Sequence, residues 1–428
     1  MRVRGNTIVP PSLFGRFAIL CAILRQLHLI VQISVLSSEL RALAPSVFFV
    51  DQLSAGIPLL RLVCPKALIL FYCHFPDKLL AKKGGWFKTL YRAPFDWLES
   101  WSTGCSDSIV VNSDFTKGVF GEAFPALRGR SPKVVYPCVD TTAAATAPEP
   151  PAGGLWGGKK VFLSINRFER KKGVELAIRA YAGLTAAERE DTRLVIAGEP
   201  PALPLPTASQ PASALTHTPP RTGGYDPRVP ENVSYHAALC TLASSLSLAH
   251  ATARAAPTAL AIPPSVAVLF LLSVPGSFKA TLLAAARLLV YTPRHEHFGI
   301  VPLEAMMVGV PVLAADEGGP TETVVEGVTG WLRGVGRVEE WTAVMRGVLA
   351  DGAEEACSRR EMGRRGRERV VKEFSKEKMA RRLEAEMAKM AEMVARDRVP
   401  VLGAGQVVLV VGVLGAVVGL CAMLWRLG

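Results

Sequence analysis

Short apolar runs, separated by polar turns rich in glycine and proline, recur along most of this 428-residue chain. Between them lie stretches whose apolar positions repeat every three or four residues. The first pattern predicts strands buried on both faces, the second amphipathic helices. In the first third, strands are expected at Val47–Val50, Ala67–Tyr72, Ser108–Val111 and Lys133–Tyr136. Helices are expected over Gly85–Thr103 and Phe115–Phe120. Residues 13–36 are apolar but interrupted by Arg16, Arg25, Gln26 and His28. Charges at a bilayer centre are costly, so this stretch reads as an amphipathic or core helix, able to lie on a membrane surface.

The alternation resumes with a strand at Lys160–Asn166 and a helix carrying Leu176, Ala177, Ala180, Tyr181 and Leu184 on one side. Strands follow at Thr192–Gly198, Val266–Val274, Leu288–Tyr291 and Val310–Ala315, with a helix over Ser277–Arg287 and another from Val301. Gly318-Gly319-Pro320 makes a turn that opens a helix at Thr321, and helices around Glu340–Leu349 and Ala353–Val371 close the region. Strands joined by helices in this order describe two parallel α/β sheets. The expected organisation is an N-terminal Rossmann-like domain over 1–140, a linker over 141–159 and a second such domain over 160–374.

Departures from the pattern mark what is not core. The Ala-, Pro- and Gly-rich run Thr141–Lys159 suits a linker. Glu199–Gly223 holds seven prolines between 200 and 220 and no apolar period, so it reads as a disordered insert. His250–Ser265 reads as a smaller variable loop. Residues 375–398 have helical propensity with opposite charges three and four apart, including Glu377–Arg381 and Arg382–Glu386. Val399–Trp425 is almost unbroken apolar sequence, long enough to span a bilayer as a transmembrane helix. Arg396 and Arg398 precede it and Arg426 follows, a bias that places the large N-terminal part on the cytosolic side.

Composition narrows the function. Half the residues are hydrophobic, the mean hydropathy is +0.27, and 49 basic residues outweigh 37 acidic ones, a net +12. That excess suits phosphates or an anionic membrane surface, and no nucleic-acid-binding signature accompanies it. Eight cysteines without a CxxC read as free thiols in a reducing compartment. No four-ligand metal set is present. His295 and His297 flank Glu296 but make none by themselves, so no cofactor and no metal is expected.

Three places carry candidate chemistry. Glu296 follows a strand and Glu304 lies eight residues on, in the next helix, where carboxylates can accept bonds from sugar hydroxyls. Two solvated glutamates near a helix start would look the same. Arg167 and Lys172 lie between the strand Lys160–Asn166 and a helix start, a setting that suits a diphosphate and equally a solvated basic face. His74 sits at a strand end and reads as well as a core histidine.

Embedded in HEHFGIVPLEAM and followed by GGPTE, the two glutamates resemble the E-x7-E signature of the family 4 retaining glycosyltransferases, which have the two-domain GT-B fold. YCHFPDKLL, VNSDFTKGVF and VVYPCVD extend the resemblance, over roughly Arg2 to Phe374, to the mannosyltransferases that build the dolichol-linked N-glycan precursor through alpha-1,3 and alpha-1,6 linkages. The resemblance implies a membrane-anchored enzyme on the cytosolic face of the endoplasmic reticulum, transferring mannose from GDP-mannose to a dolichol-pyrophosphate oligosaccharide. It implies that Glu296 contacts the transferred sugar and Glu304 the ribose, with Phe298, Gly299 and Ile300 on the donor between them. It gives Arg167 and Lys172 the diphosphate, and places His74 near the transferred sugar and the acceptor. Other transferases of the pathway are expected partners, and nucleic acid is not. Members of the family open with a Gly-Gly-Ala-Glu-Arg loop after their first strand, and nothing like it follows Met1, so the first sheet is expected to lack opening strands. Two other readings fit the same residues: a family 4 transferase with another donor or acceptor, and a non-catalytic membrane scaffold of the same fold.

Overall fold

A computed structural model of the chain describes residues 9–10, 18–80, 86–142, 154–198, 224–393, 403, 405 and 412. They form two compact units: the described residues within 1–112, 116–135 and 382–428 make one, those within 113–115 and 136–381 the other. The proline-rich insert and the apolar stretch from Val399 lie outside the described residues, apart from 403, 405 and 412. No helix among the described residues is long and apolar enough to cross a membrane.

In the first unit four parallel strands, β1 (Val47–Asp51), β2 (Leu68–Cys73), β3 (Ser108–Val111) and β4 (Lys133–Val134), stand in sequence order. Every residue of β2 is buried, as expected for an inner strand covered on both faces. The helix Ala18–Ser34 buries Leu20, Ile23, Leu27 and Ile30 at helical spacing, which settles residues 18–34 as a core helix. Gln26 ties it to the sheet connections, donating to the Leu53 carbonyl at 2.6 Å and accepting from Gly56 N–H at 2.7 Å.

One ion pair in this unit had no signal in the sequence. Arg61 and Asp107 meet at 2.5 Å with side chains 2% and 0% exposed. Arg61 also donates to the Cys105 and Ala67 carbonyls, and Asp107 accepts from Ile69 N–H. Burying both charges is tolerable because their hydrogen bonds go to each other and to the backbone.

The second unit holds β5 (Lys160–Ile165), β6 (Thr192–Ala197), β7 (His250–Ala253), β8 (Val268–Leu271), β9 (Ala286–Tyr291), β10 (Val312–Ala315) and β11 (Gly330–Arg333). All are parallel, in the order β11-β10-β9-β5-β6-β8-β7. Alternate residues feed two cores: Val161, Leu163, Leu289 and Tyr291 on one face, Phe162, Leu288, Val290 and Leu313 on the other. The chain runs outward from β5 in one direction, then returns to lay β9 against its other side. That reversal is a topological switch point, where the loops after two adjacent strands part and leave a crevice at their carboxyl ends.

His250–Ser265 is not a loop. It forms the edge strand β7 and the short helix Ala256–Leu260. Its four-residue strand, HATA, is too short and too polar at one end to show a period. The helix over Ser277–Arg287 ends at Ala285, so β9 begins two residues earlier than its apolar run suggests.

Candidate active site

Lys172 and Glu296 meet at the switch point. The first lies in the turn after β5, the second in the loop after its neighbour β9. Residues Arg170–Lys172 make one 3-10 turn ended by Gly173 at φ +58°, and Thr292 anchors the turn by donating to the Lys172 carbonyl at 2.8 Å. Lys172 Nζ then reaches Glu296 Oε2 at 2.5 Å, with side chains 11% and 18% exposed. Burial by itself would raise the Glu296 carboxyl. The Lys172 charge and hydrogen bond, aided by His297 and Lys171, outweigh it and hold the group below the usual carboxylate range. His297 is pushed down to about 4, first by burial and then by Lys172, Lys171 and Arg167, against the pull of Glu296. At neutral pH Glu296 is therefore a carboxylate and His297 a neutral imidazole.

The loop that carries Glu296 is seated on the Gly318-Gly319-Pro320 turn. Gly319 N–H donates to the Glu296 carbonyl at 2.7 Å. A Cβ on Gly318, which has φ +72°, would stand 2.6 Å from that same oxygen, and one on Gly319 would stand 2.3 Å from the Phe298 backbone. Only glycine allows two backbones this close. Gly299, at φ +85°, turns the chain into the helix Ile300–Met307, and its missing side chain leaves room for the Tyr291 ring.

The remaining predicted residues fall as follows. Arg167 is 41% exposed and pairs with Glu169 at 3.2 Å rather than with Glu296. Glu304, on the helix Ile300–Met307, is held by Lys279 through both carboxylate oxygens, at 2.9 and 2.6 Å. Phe298 is buried, its ring packed between Tyr136 and Phe374, while Ile300 is exposed. In the first unit, His74 follows β2 and its Nε2 meets Asp51 Oδ1 at 2.8 Å, with the Tyr72 ring edge-on at 4.6 Å. It is half-exposed, not a core histidine. Sequence reasoning missed Asp51, Lys279 and the seat made by Gly318 and Gly319. Asp51 and Lys279 lie far along the chain from the groups they pair with, and neither stands in a motif.

A profile of the family described as Glycosyl transferases group 1 matches residues 148–209 and 258–369. The chain is 50% identical over 438 aligned positions to the alpha-1,3/1,6-mannosyltransferase of Neurospora crassa, covering all of this chain and 86% of that protein. The chain belongs to the alpha-1,3/1,6-mannosyltransferase family. It is also 40% identical to the Candida albicans member, over 89% of this chain and 85% of the relative, and 41% identical to that of Schizosaccharomyces pombe, over 90% and 70%. This mannosyltransferase has a GT-B-like fold. A sucrose-phosphate synthase from Thermosynechococcus elongatus matches it with TM-score 0.53 at 19% identity, over 81% of this chain and 73% of that one. HepE of Anabaena in complex with UDP matches with TM-score 0.57 at 15% identity, over 84% and 82%. At such identities the likeness concerns fold alone. The mannosyltransferase is an enzyme, which removes the scaffold reading of the sequence.

Proposed function

We propose that this mannosyltransferase transfers mannose, with retention, from GDP-mannose to a dolichol-pyrophosphate-linked oligosaccharide in N-glycan precursor assembly, forming alpha-1,3 and alpha-1,6 linkages. The donor and acceptor follow the family. The observation that carries the site assignment is the Lys172–Glu296 pair at the switch between β5 and β9. The crevice outside the strand carboxyl ends is where such sheets bind nucleotides. There Lys172, with Arg167 beside it, meets the charge that grows on the departing diphosphate. Glu296 accepts from hydroxyls of the transferred sugar and Glu304 from the ribose. His74 stands by the acceptor with its ring held by Asp51. No metal ion has a role in this reading. Site and membrane belong together in it: Val399–Trp425 anchors the enzyme in the endoplasmic reticulum, with both sheets in the cytosol and other transferases of the pathway as neighbours.

The test is transfer to a lipid-linked acceptor from GDP-mannose against other nucleotide sugars, with two variants. Glu304→Gln weakens GDP and GDP-mannose binding alike, by about ten- to a hundredfold, the worth of a charge-assisted bond. Glu296→Gln keeps GDP affinity and lowers turnover. Turnover of another donor in place of GDP-mannose would overturn the donor assignment, and identical profiles for the two variants would overturn the division of roles.

A further inference from the structure

Lys279 sits where a helix is least hospitable to a cation. The helix Gly276–Ala285 opens after Pro275, and Lys279 N–H donates to the Pro275 carbonyl, closing the first turn. That turn carries no acid of its own, and the positive end of the helix dipole disfavours an ammonium there. The side chain is nonetheless mostly buried, 16% exposed, and directed onto Glu304 of the helix Ile300–Met307, whose side chain is 31% exposed. Nζ contacts Oε1 at 2.9 Å and Oε2 at 2.6 Å. Straddling both oxygens fixes the plane and rotamer of the carboxylate, whereas a one-oxygen contact would let it swing. Lys279 thus meets both oxygens of the carboxylate that the reading above gives to the ribose hydroxyls.

We propose that Lys279 is a positioning residue for the nucleotide: it clamps Glu304 in the orientation that receives the ribose hydroxyls, and touches no part of the donor itself. This rests on the reading above that Glu304 holds the ribose. Removing the lysine takes away the two-oxygen contact that fixes the carboxylate plane, so the ribose loses a pre-aimed acceptor. Arginine supplies the same charge with a two-pronged fork, and restores the clamp in part.

The experiment compares the binding of GDP and 2′,3′-dideoxy-GDP to the full chain by calorimetry, in the parent, Lys279→Met, Lys279→Arg and Glu304→Gln. In the parent, GDP binds about ten- to a hundredfold more tightly than the dideoxy nucleotide, the worth of bonds to a charged acceptor. Lys279→Met loses most of that ratio through weaker GDP binding while dideoxy-GDP affinity stays within about twofold, and Lys279→Arg recovers part of it. Equal weakening of both nucleotides by Lys279→Met would show a direct phosphate or base contact, or a merely structural role, and would overturn the proposal. So would unchanged or tightened GDP binding. If the parent itself shows no preference for GDP, or Glu304→Gln keeps the full preference, it is the ribose assignment that fails. A preference lost in Glu304→Gln but kept in Lys279→Met fails the clamp alone.

Discussion

At the scale of single residues the site depends on pairs, of which the sequence shows one member more readily than the other. Glu296, Glu304, Lys172 and Arg167 stand in recognisable strings, because each lies between a strand and the end of the helical segment that follows it. Their partners do not: Lys279 lies 25 residues before Glu304, and Asp51 lies 23 before His74. Arg61 and Asp107, 46 positions apart in a buried pair, were equally invisible, since a lone charge in an apolar context gives no hint of what neutralises it. The Lys172–Glu296 pair also fixes what its removal does. In the proposed function, Lys172→Ala strips a mostly buried carboxylate of its counter-charge and the diphosphate of a donor, so donor affinity and turnover fall together by about ten- to a hundredfold. Steady-state kinetics with GDP-mannose check this, and activity within about twofold of the parent would take Lys172 out of the site.

Secondary-structure elements were legible where hydrophobic period and turn chemistry agreed. β5, β6 and β8 sit on the strands expected, because buried parallel strands are long apolar runs between sharp breaks. The edges failed. β7 and β11 have four residues each and lie at opposite ends of the seven-stranded sheet, where one side of a strand has no neighbour to demand an apolar pattern. The glycine turn was visible as a turn, but the reason for its glycines was not: they admit the backbone of another loop. Gly319→Ala places a methyl 2.3 Å from Phe298 Cα, so the loop carrying Glu296 must move. A displacement near 1 Å at a catalytic group costs about a hundredfold in rate, and the overpacking costs about 1–3 kcal/mol of stability. Gly347→Ala is the control, because nothing lies within 4 Å of its Cβ and it ends a helix. Kinetics and urea denaturation of both variants check the contrast, and Gly347→Ala stays within about 0.5 kcal/mol of the parent.

For the whole molecule, fold class and family were the easiest things to read, since parallel alternation and motif strings both survive without knowledge of contacts. Acid–base coupling within a unit was not readable. Glu99 accepts from the Asp77 and Lys78 amides at 2.6 and 2.9 Å, yet burial, then the nearby Asp77 charge, push its carboxyl up to about 7. Its ionised form is therefore less favoured in the folded chain than in the unfolded one, whose carboxyl titrates near 4.5. Between these values the folded state holds the extra proton, so the Glu99 contribution to stability is full below pH 4.5 and is lost as pH rises through about 7. Denaturation at pH 5 and pH 7.5 should show the first unit less stable at the higher pH, with a smaller difference in Glu99→Gln. An equal difference in the variant would assign the pH dependence to another group.

The membrane attachment proposed above belongs to the same scale and depends on which apolar surface the folded units leave uncovered. The sequence offers two candidates, residues 13–36 and Val399–Trp425. Ala18–Ser34 turns Leu20, Ile23, Leu27 and Ile30 inward, so among the described residues at its end the exposed large apolar ones are few: Val31, Val35 and Leu36. Side chains already buried in a protein core contribute nothing to partitioning, and three exposed ones give weak interfacial binding at best. A run of 27 residues with Gln406 as its one strongly polar side chain is a different matter, because about 20 suffice to cross the hydrocarbon core. Deleting residues 399–428 is therefore expected to move most of the enzyme from the membrane pellet to the soluble fraction at physiological salt. In sealed microsomes the full chain should lose the region around Glu296 to added protease without detergent, as the proposed cytosolic orientation predicts. Retention of the truncated chain in carbonate-washed membranes would give the anchor to another segment, and protection of Glu296 until detergent is added would reverse the orientation.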